Sequence, residues 1–330
     1  MALLLLNEDE LRQIITISEA IEAVENAFVA IAENRVNAPA NFTLDLPDIK
    51  GKVEVGGAYL SETPFYMVKV RSSFHENPVA GLPLQSGLTM VFDATTGFPM
   101  AILIDNGYLS LLRAGAAGAL AAKYLANPTV DQVAVIGTGK QAYIQLKCLT
   151  AIRSIGRVLV WGRSPERLDS YARRMVEDHD LDIEIASSPE AAIKQADLII
   201  TATASQSPLI KADWLKPGVH ITAIGSNHPS KRELYLDVFQ HADVIIVDKF
   251  SQCAAAGEIH HALEAGLITK EHIRGELGDL IVGKILGRTQ PDQITLADLT
   301  GLEAQDTAVA TLALNKAIYL GLGQPVEGQL

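Results

Sequence analysis

The sequence predicts an α/β protein, a Rossmann-type doubly wound parallel sheet joined to a smaller α+β domain. Three observations carry this. Short apolar runs at Val133–Ile136, Val158–Trp161, Ile183–Ile185, Leu198–Thr203, His220–Ile224 and Val244–Val247 alternate with helical stretches, the pattern of parallel strands buried on both faces. Gly137-Thr-Gly-Lys-Gln-Ala142 follows the first run and opens a helix. Ahead of these, residues 41–98 read as short strands separated by Asp48-Ile-Lys-Gly51, Glu62-Thr-Pro64 and Ala94-Thr-Thr-Gly97, turn clusters that signal antiparallel hairpins.

In chain order, Met1-Ala-Leu-Leu-Leu-Leu-Asn7 reads as a short buried strand. Leu11, Ile14, Ile17, Ile21, Val24, Phe28 and Ile31 recur at helical spacing over residues 8–34, with Ser18 placed to cap a second helix. After the hairpins, Tyr108 to Leu125 is an Ala- and Gly-rich helix leading into Asn127-Pro128. Gln305 to Leu320 is again helical and returns to the first domain. The expected domains are residues 1–116 with 304–330, and residues 117–303.

Composition bounds the function. A chain of 330 residues exceeds one ordinary core, and 48% apolar against 20% charged residues suits a globular enzyme. A net charge of -12 disfavours nucleic acid and anionic lipid, which clustered Lys and Arg must hold. An anionic ligand must therefore meet local positive charge. With two cysteines, Cys148 and Cys253, no secretory leader pattern and no apolar run of the roughly 20 residues a bilayer requires, the expected setting is a reducing cytoplasm.

The glycine turn has a defined physical reading. Gly137 permits the tight turn, Gly139 lets the backbone approach a pyrophosphate, and Ala142 allows close helix–strand packing. Thr138, Lys140 and Gln141 lie beside the phosphates at a helix N-terminus. The next strand ends Trp161-Gly162-Arg163-Ser164, with Arg167 one turn later and no carboxylate at the strand end. Arg163 and Ser164 suit a ribose phosphate, so NADP(H) is favoured over NAD(H); alternatively Arg163 stacks on the adenine and either cofactor serves. Thr203, Ser226, Asp298, Thr300 and Gly301 complete the expected cofactor set.

Candidate chemical residues fall in both domains. Lys69 sits mid-strand in Tyr66-Met-Val-Lys-Val-Arg71, a place that spacing alone assigns to a solvated face. Arg71 shares that face and reads as a second anion contact or a surface charge. Arg113 opens a small-residue helix and would clamp a carboxylate or a pyrophosphate. Asn227, His228 and Lys231 follow a strand at its C-terminal end, where open α/β sheets bind ligands, although a lone loop histidine is commonly a surface residue. Glu258, His260 and His261 resemble a metal cluster, but adjacent helical histidines are expected to point apart, so no metal is assigned.

The motifs Val68-Lys-Val70, His75-Glu-Asn-Pro-Val-Ala-Gly-Leu-Pro83, Asp105-Asn-Gly-Tyr-Leu109, Arg113-Ala-Gly-Ala-Ala-Gly118, Gly137–Ala142, Gly225-Ser226, Gln252-Cys-Ala-Ala-Ala-Gly-Glu258 and Asp298-Leu-Thr-Gly301 together resemble the ornithine cyclodeaminase/mu-crystallin family, nearly end to end. The central segments look most like its EutC-like (ectoine-utilisation) and imine-reductase branch. The resemblance implies a homodimer joined through the first domain, with substrate between the domains beside the nicotinamide. It places Lys69 and Arg113 where substrate carboxylate is bound and the reacting carbon oriented, reversing the spacing-based reading of Lys69. Trp161–Ser164 is similar to the NADPH-binding form in mu-crystallin.

Two departures narrow the activity. The cyclodeaminases place an Asp, assigned to acid/base work, where this chain has Asn227, and an amide takes up no proton near neutral pH. A substrate-binding Arg of the family corresponds to the stretch Ala38-Pro-Ala-Asn41, which lacks a cation. The expected function is an NAD(P)H-dependent reductase of a small α-imino acid, or the reverse dehydrogenation. The alternatives are an ammonia-releasing cyclodeaminase-like lyase that recycles bound NAD, and a non-catalytic, crystallin-like NADPH-binding protein.

Overall fold

A computed structural model describes residues 3–179 and 181–326; Met1 and Ala2, at the head of the expected first strand, and residues 327–330, at the end of the expected first domain, lie outside the described residues. The chain divides into two compact units, residues 1–113 with 303–330, and residues 114–302.

The first unit begins with β1 (Leu3–Asn7), α1 (Glu8–Ile14) and α2 (Ile17–Ala32), and continues through β2 (Val36–Asn37), β3 (Phe42–Leu46), β4 (Gly51–Leu60), β5 (Phe65–Phe74), β6 (Gln85–Asp93) and β7 (Pro99–Ile104) to helix α3 (Tyr108–Leu125). Each of the three turn clusters joins two strands of this meander. At the last, the Asp93 carboxylate accepts the N–H groups of Thr95 and Thr96, and Gly97 adopts φ +75°, the local chemistry that closes a hairpin. β1 forms as expected, yet only Leu6 on it is buried. The cap of α2 is Thr16 rather than Ser18. Thr16 accepts the Glu19 N–H while Glu19 accepts the Thr16 N–H, a reciprocal pair that Ser18, already inside the first turn, cannot make.

The second unit carries β8 (Gln132–Ile136), α4 (Lys140–Thr150), β9 (Arg157–Trp161), α5 (Pro165–His179), β10 (Ile183–Ile185), α6 (Pro189–Ile193), β11 (Leu198–Thr201), β12 (His220–Ala223), α7 (Asp237–His241), β13 (Val244–Val247), α8 (Phe250–Ala256), α9 (Glu258–Glu264), β14 (Ile273–Glu276), α10 (Leu277–Ile281) and β15 (Thr295–Asp298). All eight strands are parallel, in the order β10-β9-β8-β11-β12-β15-β13-β14. The chain runs outward from β8 through β9 to β10 and then crosses back to place β11 on the other side of β8, so the order changes direction there and the sheet is doubly wound, the architecture predicted from the apolar runs. β14 and β15 read Ile-Arg-Gly-Glu and Thr-Leu-Ala-Asp. They show no apolar run and become strands through pairing with β13 and β12.

The chain then returns to the first unit as α11 (Glu303–Leu320) and β16 (Gln324–Val326). Its sheet runs β16-β1-β7-β6-β5-β4-β2, with β3 on β4, and is antiparallel except at β1–β7. α11 packs on α2 and β4, and Lys316 binds the Glu19 carboxylate through contacts of 2.6 and 2.7 Å. The units part inside α3, after Arg113, within a few residues of the expected division after residue 116. From Ala114 onward the helix packs on α4. A Cβ on Gly115 would lie 2.8 Å from Cys148 Sγ, and one on Gly118 would collide with Gln145, so these small residues set the approach.

Candidate active site

The first unit gathers five polar side chains from three elements. Antiparallel register sets Lys69 of β5 between Gly56 of β4 and Thr89 of β6, and cross-strand partners share a face. Lys69 therefore shares a sheet face with Gly56 and Thr89. It donates to Ser110 Oγ on α3 and to Asp306 Oδ1 on α11 at 3.0 Å. Arg113, one helical turn after Ser110, brings Nε to 3.3 Å from Asp306 Oδ2 and donates from Nη1 to Gln305 at 3.2 Å. All three charged side chains are largely buried. Burial alone would raise the Asp306 pKa, but Arg113 and Lys69 outweigh it and lower it to about 2.

Asn41 and Glu303 lie on the same face. Asn41 donates to Glu303 at 2.7 Å, and a Cβ on Gly56 would sit 2.6 Å from the Asn41 amide oxygen and 3.2 Å from the Glu303 carboxylate. Asn41 thus stands near Lys69, in the stretch where the family pattern has an Arg. Arg71 does not replace that cation: it is bound to Glu54, its cross-strand partner, at 2.5 Å and is half-exposed.

In the second unit, Gly137 adopts φ +127°, and a Cβ there would lie 2.5 Å from the Ala202 carbonyl. Only glycine fits this turn. Gly139 caps the 11-residue helix α4 with no side-chain bond, and nothing lies within 4 Å of where its Cβ would be. The space beside this helix end is open, and Ala142 is fully buried against the strand. Gly162, at the end of β9, packs where a Cβ would meet the Thr138 side chain at 2.7 Å. Arg163 and Arg167 are exposed, as is Lys140, while Gln141 is half-buried. The Ser164 hydroxyl accepts the Arg167 N–H at 3.4 Å. A bare helix N-terminus with two glycines at its approach fits a dinucleotide pyrophosphate.

The remaining candidates lie at the C-terminal ends of β11, β12 and β15. Asn227 Oδ1 accepts from Lys231 Nζ at 2.8 Å, so the structure brings these two together. His228 points back to Ser230 and is exposed. Ser226 is buried and donates to the carbonyls of Lys231 and Ala256. The Thr203 N–H donates to Glu233 at 2.6 Å. Thr300 and Gly301 donate their N–H groups to the buried Asp248 at 2.8 and 2.6 Å. Asp298 accepts from the Ile259 N–H, and its other oxygen has no partner among the described residues.

Sequence reasoning missed two sets of residues. Ser110, Gln305 and Asp306 reach Lys69 or Arg113 from helices remote in sequence. Glu233 and Asp248, also missed, form a buried acidic group with Asp298 and with Glu258, which the sequence grouped instead with His260 and His261. Desolvation raises all four, Asp298 to about 7, with neighbouring carboxylates adding to the shift of Glu258 and Asp298. The available signals were acidic residues inside otherwise apolar helix or strand ends. Burial pushes the Cys148 thiol up to about 12 and Cys253 well above its ordinary value, which leaves both inert as nucleophiles. His260 and His261 do not point apart: their ring centroids are 5.1 Å apart.

Residues 2–319 match the ornithine cyclodeaminase/mu-crystallin family. The chain belongs to that family. It is 39% identical, over 98% of both chains, to an uncharacterized cyclodeaminase of Sinorhizobium fredii. Among solved members, an archaeal alanine dehydrogenase dimer with bound NAD superposes with a TM-score of 0.92 at 33% identity, covering 99% of each chain. The Δ1-pyrroline-2-carboxylate reductase of Thermococcus litoralis, in complex with NADH and L-proline, gives 0.93 at 30% identity, covering 98% of this chain and 100% of that one. The cyclodeaminase/mu-crystallin fold expected from the motifs is therefore present from end to end, and no helix among the described residues is long and apolar enough to cross a membrane.

Proposed function

We propose that this family member is an NAD(P)H-dependent oxidoreductase acting on C=N and CH–NH bonds, which reduces a small α-imino acid to the α-amino acid or runs the reverse dehydrogenation. The observation that carries this is the Lys69–Asp306–Arg113 group. Two cations against one ionised carboxylate leave a single net positive charge, which suits one substrate carboxylate. The Asp306 carboxylate holds both cations in place, so the ligand meets a preorganised site.

The bound nicotinamide would supply or accept the hydride. Gly137, Thr138, Gly139, Lys140, Gln141 and Ala142 would hold its pyrophosphate, Gly162, Arg163, Ser164 and Arg167 its ribose end, and Thr203, Ser226, Asp298, Thr300 and Gly301 the remainder. The Asp248 bonds to Thr300 and Gly301 fix that last segment. Lys69 and Arg113 bind the carboxylate and orient the reacting carbon; Lys69, or water on it, delivers the proton to nitrogen. Arg71, His228 and Lys231 are further substrate contacts, Arg71 only on release from Glu54. Asn227 orients substrate through its amide and carries no proton, which favours reduction over cyclodeamination.

Arg163 supports NADP(H) in preference to NAD(H). The homodimer reading is supported by apolar side chains exposed in the first unit, including Phe42, Leu44, Ile49, Val79 and Leu82, surface that a second copy could cover. The chain's setting would be the cytoplasm.

The deciding experiment follows absorbance at 340 nm with NADPH, and separately NADH, against 2-oxo acids with ammonia or methylamine and against pyrroline- and piperideine-2-carboxylate. Oxidation with any of these establishes the reductase and ranks its substrates. Cofactor binding without oxidation, combined with ammonia release from ornithine, would replace it with the lyase; binding with neither would leave a non-catalytic protein.

A further inference from the structure

We propose that His260, His261 and Glu264 of α9 form a binding site for a divalent transition-metal ion of the zinc class. Each offers one ligand atom, and the three atoms lie within 4.8 Å of one another. Glu264 is four residues from His260 and three from His261, so helical geometry makes it a neighbour of both.

Hydrogen bonding decides which nitrogens are available. His260 Nδ1 lies 2.9 Å from the Ala254 carbonyl, and His261 Nε2 lies 2.8 Å from the Lys231 carbonyl. A carbonyl oxygen only accepts, so these two nitrogens carry the ring protons. The lone pairs of the neutral rings then sit on His260 Nε2 and His261 Nδ1. A backbone carbonyl on the far nitrogen is the usual support of a metal-bound imidazole, because it fixes the tautomer and raises the basicity of the ligating atom. Here both histidines have one.

His260 Nε2 faces Glu264 Oε2 across 3.9 Å. With the ring neutral, two acceptors confront each other with no proton between them, an arrangement that a cation relieves. Donors at about 2.0–2.2 Å from a tetrahedral ion stand roughly 3.3 Å apart, so separations of up to 4.8 Å must close by as much as about 1.5 Å. Glu264, its side chain being 73% exposed, can supply its share of that movement, and rotation of the histidine rings must supply the rest. Imidazole and carboxylate together select zinc-like ions over magnesium or calcium, and three protein ligands leave a coordination position for water. The competing occupant is a proton on His260, which would turn the pair into a plain ion pair with Glu264.

The test titrates the full chain with Zn²⁺ by calorimetry and with Co²⁺ by visible absorption, with no other ligand added. One equivalent per chain is expected. Glu264→Ala, a change at an exposed helix end, should leave the circular dichroism unchanged and weaken binding by about 10-fold; His261→Gln, which removes a ligand outright, should weaken it by about 100-fold or more. No saturable equivalent would mean that the proton holds the pair and would overturn the proposal. An equivalent bound equally well by wild type and both variants would place the metal elsewhere and overturn it too.

Discussion

The two units bury carboxylates in opposite ways. In the first, Asp306 lies between Lys69 and Arg113 and is held ionised, its pKa near 2. In the second, Asp298, Glu233, Glu258 and Asp248 meet N–H groups, hydroxyls and one another, and burial drives all four upward. The same chemical group is a fixed charge in one place and a reluctant acid in the other. The difference teaches where an anion is welcome: the first unit has a surplus of positive charge at its buried carboxylate, whereas the second already has more acid than its surroundings can ionise.

Asp306→Asn should have the largest effect, because it strands two buried cations. We expect a loss of about 3–5 kcal/mol in urea-induced unfolding; an unchanged midpoint would break the contrast between the units. The same variant tests the pH dependence. With a folded pKa of about 2 against an ordinary 3.8, Asp306 contributes stability above pH 3.8 that disappears as pH falls through 2. In the Asn variant that acid-side loss should be absent.

Lys69→Ala leaves Asp306 its Arg113 partner, so it removes function more than fold. A drop in kcat/KM of about 10²–10³-fold is expected, the usual cost of deleting one preorganised charge stabiliser, with dinucleotide affinity unchanged by fluorescence titration. Wild-type turnover in this variant would remove Lys69 from the chemistry. Arg163→Ala in the second unit should act on the cofactor alone, weakening NADPH by about 10-fold and leaving NADH unaffected; equal losses for both would favour adenine stacking.

Asp298→Asn should have the smallest effect and the opposite pH signature. Its folded pKa, about 7, lies above the ordinary 3.8, so the folded state keeps the proton longer. Its contribution is complete below pH 3.8 and is lost as pH rises through 7. The variant should therefore show a flatter Tm profile between pH 4 and 7, with a difference of roughly 2–4 °C for each kcal/mol removed. A profile parallel to that of the wild type would mean that Asp298 is ionised throughout, and the contrast would need another explanation.

Much of this was legible in the sequence, because it depends on neighbours within one turn or one strand. The alternation of apolar runs and helices announced the parallel sheet, and Gly137 and Gly139 announced the nucleotide turn through backbone freedom. Arg113 was legible as the cation opening a small-residue helix, whereas Lys69 was identified only through its likeness to a family, since spacing alone put it on a solvated strand face. Strands without apolar runs, β14 and β15, were invisible because pairing created them.

Local pattern by itself determined the fold class and the glycine turn, since periodicity and glycine stereochemistry act over a few residues. Tertiary structure alone decided charge. Asp306 reaches Lys69 across 237 residues of chain, Arg71 is neutralised by a strand neighbour, and His260 and His261 are turned toward each other by carbonyls of other segments. Ionisation and tautomer follow from which groups share a buried space, and that is settled only when distant elements pack.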